Sequence, residues 1–167
     1  MPKSPHADDL DSATSSNEVD LLLSDLGDIP GAPDASIRER DRVVLVVDSV
    51  PIARKFLVQR LETLGYDVHS AENGDRALAM VEHQAYAIVF LELTLEGGID
   101  GLSLCQAIKQ APRRRDGVAS AVVFTTGDAG SSNRVRGWLA GCDAYLNKPL
   151  LDDELIAALR EVDPLFQ

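Results

Sequence analysis

Asp48, Glu92, Thr126 and Lys148 each stand at the carboxyl end of a separate apolar run, at 43–47, 87–91, 121–125 and 144–147. Two carboxylates, a hydroxyl and an ammonium are the groups that bind cations, hold phosphate oxygens and pair with one another. Parallel strands would aim all four side chains at one crevice, where α/β sheets gather their chemistry.

The elements that must position them follow from the pattern after Arg42, where apolar runs alternate with amphipathic ones. That alternation predicts successive β-α units on a parallel sheet. Five units fit, with strands at 43–47, 67–71, 87–91, 121–125 and 144–147 and helices at 51–64, 75–83, 102–111, 132–140 and 152–162. Pro51 suits a first helical position, and Gly65 supplies a stop before the second strand. Only that second strand ends without a purposeful polar residue, which places it outside the crevice. The expected fold is α/β and flavodoxin-like, a (βα)5 parallel sheet in the order 2-1-3-4-5.

With 167 residues, 45% of them hydrophobic, the chain can build one well-buried core and have a tail left over. The formal net charge is −11, and the first 41 residues hold ten of the 27 acids but three of the 16 Lys and Arg. Such a chain repels phosphate backbones and anionic lipid, so nucleic acid is not an expected partner. Arg113, Arg114 and Arg115 form the one basic cluster and read as a solvated turn after Pro112. Cys105 and Cys142 lack metal-knuckle or CxxC spacing and read as small core residues, and His6, His69 and His83 have no metal-site partners in sequence. No run has the length to cross a bilayer, so no membrane insertion is expected and the location is read as cytoplasmic.

Residues 1–41 read as an acidic tail and linker, and 42–167 as the folded domain. Most of the tail is too polar to offset the entropy of ordering and is expected to be disordered. One stretch, 16–26, differs. Val19, Leu22, Leu23 and Leu26 fall at i, i+3, i+4 and i+7, one apolar helical stripe. Ser15 and Glu18 fit a capping box, and Gly27 and Pro30 are stop signals. A helix of about eleven residues is marginal alone in water, so this stripe needs a surface to dock on.

Four segments carry a resemblance: VLVVDSVPIARK at 44–55, VFLELTLEGGIDG at 89–101, VFTTG at 123–127 and GCDAYLNKPL at 141–150. In this order and at these intervals they resemble the CheY-like receiver domain of bacterial two-component response regulators. In that family two adjacent acids follow the first strand, a phosphate-accepting Asp ends the third, Ser or Thr ends the fourth, and Lys-Pro ends the fifth. Asp48 matches the first acid, and Thr126, Tyr145, Lys148 and Pro149 match their counterparts. Ser49 replaces the second acid, and Glu92 replaces the phosphoacceptor. The loop 95–101 is one residue longer than usual, with Glu96 where proline is common.

The resemblance implies a pseudo-receiver. An aspartyl phosphate forms there with Mg²⁺ bridging carboxylate and phosphoryl oxygens, and Mg²⁺ demands octahedral oxygen geometry. Ser49 removes a unit charge, whose gross attraction to the dication is about 8 kcal/mol at roughly 4 Å and an effective dielectric of about 20. Glu92 pushes its carboxylate roughly 1.5 Å further into the crevice, and in-line attack tolerates little displacement. Mg²⁺ is expected to bind only weakly, if at all, and no other cofactor is expected.

Two readings of Glu92 follow. In one it pairs with Lys148, accepts a hydrogen bond from Thr126 and mimics phosphate; in the other, which is favoured, it disables the switch and leaves a binding scaffold. The leading expectation is a stand-alone, non-enzymatic signalling adaptor of a two-component or chemotaxis-like pathway, independent of phosphorylation. Its partner would be another signalling protein, contacted through the fourth helix, fifth strand and fifth helix, with Trp138, Tyr145 and Arg134 on that face. Trp138 is read equally well as a core residue. Asp100, beside Gly101, reads as a helix cap. The alternatives are a working phospho-accepting regulator with an atypical Mg²⁺ site, or a small-molecule sensor, although no Gly-rich phosphate loop follows the first strand.

Overall fold

Alternating apolar and amphipathic segments fold as their periods dictate in a computed structural model that describes residues 42–111, 117–128 and 130–167. The elements run β1 (Val43–Val47), α1 (Pro51–Thr63), β2 (Asp67–Ala71), α2 (Gly74–His83), β3 (Ile88–Glu92), α3 (Gly101–Gln110), β4 (Ala121–Thr126), α4 (Ser131–Leu139), β5 (Ala144–Asn147) and α5 (Asp152–Val162). The five strands are parallel in the order β2-β1-β3-β4-β5, the flavodoxin-like order that the sequence predicts.

Every residue of β1 and β3 is buried, because helices cover both faces of the sheet. Leu45, Val47, Val89, Leu91, Val122 and Phe124 pack on one side, with Ala77 and Val81 of α2 and Leu104 and Ile108 of α3. Val44, Val46, Ile88, Phe90, Val123 and Leu146 pack on the other, with Leu57 and Leu61 of α1 and Leu155 and Leu159 of α5. The side-chain period of two along each strand assigns alternate residues to these cores.

Local punctuation behaves as its chemistry requires. Pro51 opens α1, and Gly65 after it has φ +95°. Asp100 caps α3, its Oδ1 accepting from Ser103 N at 2.7 Å, the capping role expected of it. Asn73 caps α2 in the same way through Arg76 N at 2.8 Å. Two strand ends differ from the sequence boundaries: Glu92 is the last residue of β3 and Thr126 the last of β4, so both are ladder residues rather than loop residues. Cys105 and Cys142 are both buried and unpaired. His69 is not idle, since its Nδ1 lies 2.9 Å from Tyr86 Oη.

At the carboxyl end of the chain Tyr66 donates to Asp163 Oδ2 at 2.5 Å and stacks on Phe166 with ring centroids 6.3 Å apart. No helix among the described residues is long and apolar enough to cross a membrane. The tail stripe of Val19, Leu22, Leu23 and Leu26, and the arginines at 113–115, lie outside the described residues.

Candidate functional site

Parallel strand order brings Asp48, Glu92, Thr126 and Lys148 to the carboxyl edge of β1, β3, β4 and β5. Asp48 and Glu92 are 4% and 5% exposed, which places two carboxylates in a nearly dry setting where an unpaired charge is costly. Lys148 compensates them. Its Nζ lies 2.7 Å from Asp48 Oδ2 and 2.5 Å from Glu92 Oε2, bridging both acids.

The remaining carboxylate oxygens are also engaged. Asp48 Oδ1 accepts from Val50 N at 2.9 Å. Glu92 Oε1 accepts from Thr94 N at 3.1 Å and from Thr94 Oγ1 at 3.0 Å. Glu92 is thus held on one oxygen by the loop that follows it and on the other by Lys148. One of the two readings of Glu92, phosphate mimicry, called for a hydrogen bond from Thr126, and that bond is not made. Thr126 Oγ1 instead accepts from Asp128 N at 3.1 Å, because Thr94, two residues beyond Glu92, reaches the carboxylate by a short local turn.

Burial lowers the affinity of Lys148 for its proton, but the hydrogen bonds and charges of Asp48 and Glu92 outweigh it, and the ammonium pKa ends above its ordinary value. Lys148 N also donates to Thr126 O at 2.8 Å, and a cis peptide joins Lys148 to Pro149. Arg54 of α1 adds a second cation, donating from Nη1 to the Asp48 carbonyl at 2.7 Å.

Two of these residues escaped the sequence reading. Thr94 is a hydroxyl two positions after an acid at a strand end, and that spacing is its signal. Arg54 lies within the 44–55 segment, where nothing local marks its bond to the Asp48 carbonyl six residues earlier. The loop 95–101 is tied to α2, with Ile99 N donating to Asp75 Oδ1 at 3.3 Å. Gly98 has φ +73°, and a Cβ there would collide with the Asp75 carboxylate. Glycine lets the longer loop close against α2.

The oxygens that could hold a hard cation are those of Asp48 and Glu92, joined by the neutral, half-buried hydroxyl of Ser49. Among the described residues, no three His, Cys, Asp or Glu side chains converge as a metal group.

Trp138, Tyr145 and Arg134, the residues expected to face a partner, belong to α4 and β5, next to α5. Trp138 is 46% exposed, which makes it a surface residue rather than core, and Leu139 beside it is 80% exposed. Tyr145 is buried, donates to Asp128 O at 3.2 Å and lies beneath the Arg134 guanidinium, 5.6 Å from its ring centre. A groove of about 520 Å³ between these elements is lined by Arg134, Trp138, Tyr145, Glu154 and Glu161 among others.

Comparison with known proteins agrees with this arrangement. The model of the response regulator receiver domain matches residues 44–160. The transcriptional regulatory protein ResD of Bacillus subtilis is 32% identical over 117 residues, 70% of this chain and 46% of that protein. The response regulator PleD of Caulobacter vibrioides is 31% identical over 119 residues, 71% of this chain and 25% of that protein. The chain therefore spans about half, or less, of the length of these curated relatives. A CheY-like receiver domain protein from Methanospirillum hungatei superposes with a TM-score of 0.62 at 28% identity, covering 72% of this chain and 91% of that one. A Burkholderia pseudomallei response regulator, solved with a phosphorylated aspartic acid, calcium ion and citrate, gives 0.61 at 29% identity over 71% of this chain and 66% of that one. With five β-α units in the receiver order and its polar residues gathered at the strand ends, this chain belongs to the response regulator receiver domain family of two-component signalling.

Proposed function

We propose that this receiver domain signals without accepting phosphate, as an adaptor that contacts another signalling protein. The observation that carries the reading is the ion-pair bridge: one ammonium, Lys148, takes up both acids of the crevice, and both oxygens of Glu92 are already bonded. A phosphoacceptor must offer a free carboxylate oxygen in line with the incoming phosphorus. Thr94 occupies both acceptor sites of Glu92 Oε1 and Lys148 one of the two on Oε2, so the carboxylate is held by three donors and leaves a single site, beside the ammonium.

The donor set does not fit Mg²⁺. Two paired carboxylates and a neutral serine hydroxyl stand where octahedral coordination needs free anionic oxygens. The crevice is instead neutralised from within, by Lys148 on the carboxylates and Arg54 on the adjoining carbonyl. This favours the scaffold reading of Glu92 over phosphate mimicry, since the Thr126 contact required for mimicry is not made. Output then rests on the α4-β5-α5 surface, where exposed Trp138 is an aromatic anchor of the kind that dominates protein contacts.

Incubation with Mg²⁺ and acetyl phosphate followed by intact-mass measurement tests this. The wild-type mass is expected to stay unchanged, while Ser49→Asp combined with Glu92→Asp is expected to gain one phosphate. A wild-type phosphate adduct that disappears in Glu92→Gln overturns the proposal in favour of a phospho-accepting regulator.

A further inference from the structure

Two of the chain's three histidines meet away from the crevice, where α2 packs beside the edge strand β2. Arg76, Ala79, Met80 and His83 recur at i, i+3, i+4 and i+7, which sets them on one stripe of α2. That stripe, with His69 of β2 and Tyr86, lines a hollow of about 450 Å³, the size of a small-molecule site. No Asp or Glu lines it, a local exception in a chain of formal net charge −11. Among the described residues, neither the Arg76 guanidinium nor the His83 ring has a bonding partner. His69 is held from behind, its Nδ1 2.9 Å from Tyr86 Oη and its ring edge-on to the tyrosine, which is 2% exposed. The Tyr86 hydroxyl has no other acceptor among the described residues, so it donates to Nδ1 and the neutral ring carries its proton on Nε2. Burial, then the charge of Asp67, raises the Tyr86 pKa above 10.0, so the hydroxyl stays protonated.

We propose that the hollow between α2 and the edge of β2 binds a small phosphate monoester, its oxyanion on Arg76, His69 and His83 and its apolar body against Ala79 and Met80. The guanidinium fork matches phosphate oxygens, and three donor side chains suit a group with three acceptor oxygens and nearly two charges. Acidification strengthens the site, because each imidazole that gains a proton adds a positive charge facing the anion. The charged and titratable groups around the two rings are Arg76, Tyr86 and Asp67, which stands two positions before His69 on the same face of β2. Asp67 opposes the anion but favours imidazolium, so it does not reverse that sign. Asp75 and Glu82 lie about 100° round α2 from the stripe, and Asp75 accepts from Ile99 N. None of Asp48, Glu92, Thr126 and Lys148 lines this hollow, so the inference stands whether or not Glu92 accepts phosphate.

The test follows amide and histidine-ring signals of the full chain during titration with sulfate, whose charge is the same at pH 5.5 and pH 8. Saturable shifts are expected at His69, Arg76, Met80, His83 and Tyr86, with affinity about tenfold higher at pH 5.5. At pH 7 phenyl phosphate should bind about fivefold tighter than inorganic phosphate, through its ring on the apolar wall. Arg76→Gln should weaken both about tenfold, while its backbone N–H keeps the Asn73 cap, and Arg76→Lys should restore part of the loss. Shifts centred on Glu92 and Lys148, shifts that never saturate and so report an adventitious ion only, or an affinity indifferent to pH and to Arg76→Gln would each overturn the proposal.

Discussion

Replacing Lys148 by Met removes the one ammonium that bridges Asp48 and Glu92 while preserving most of the side-chain volume. Its bonds of 2.7 Å and 2.5 Å hold the two carboxylate oxygens no more than 5.2 Å apart. At about 5 Å and an effective dielectric of roughly 20, two bare carboxylates repel by about 3 kcal/mol. Breaking one side of a buried ion pair costs about 3–5 kcal/mol in general, and a total near 3 kcal/mol is a large share of the ~5–15 kcal/mol stability of a domain. Urea unfolding at pH 7 should show a lower midpoint with an unchanged slope. Adding Glu92→Gln to Lys148→Met should return much of the loss, because one of the two charges is gone. The uncovered acids should also make Lys148→Met newly stabilised by Mg²⁺, by about 1.4 kcal/mol at ten times the dissociation constant. A loss under about 1 kcal/mol, or no recovery on adding Glu92→Gln, would refute the bridge as a structural element.

Thr94→Val deletes the hydroxyl bond to Glu92 Oε1 but keeps the backbone one, and should cost about 1.5–3 kcal/mol by urea unfolding, whereas Thr94→Ser should cost far less. Gly98→Ala forces a left-handed backbone at about 1–2 kcal/mol and drives a methyl against Asp75. Its thermal midpoint should fall, and should fall less in an Asp75→Ala background. Alkaline stability follows from two groups. Burial, then the bond to Asp163, raises the Tyr66 pKa above 10.0; for Lys148, burial acts downward but its acid partners raise the pKa above 10.5. Both favour the protonated form in the folded state, so their stabilisation is complete below about pH 10 and is lost as pH rises beyond it. Tyr66→Phe should therefore lose stability less steeply above pH 10 than the wild type.

The order of five β-α units, the crevice and four of its residues were legible in sequence because each rests on local pattern. Apolar runs name the strands, Pro51, Gly65 and Asp100 mark helix ends, and polar residues at strand ends mark the crevice. What the pattern left open was which of the gathered side chains bond to one another. Lys148 and Asp48 are 100 positions apart, and only the juxtaposition of β1, β3 and β5 around one ammonium makes them and Glu92 a single cluster. The hydroxyl that bonds Glu92 was set by the turn after β3, which brings Thr94 Oγ1 to Oε1 at 3.0 Å. Trp138 shows the same limit: its spacing suited core and surface equally, and the rotation of α4 against Phe124 and Tyr145, with Gly137 inward, turned it outward. Sequence determined which groups would stand at the strand ends, since apolar runs and the side-chain period of two are local properties. Tertiary structure decided which of those groups would bond, since that depends on distances no local pattern encodes.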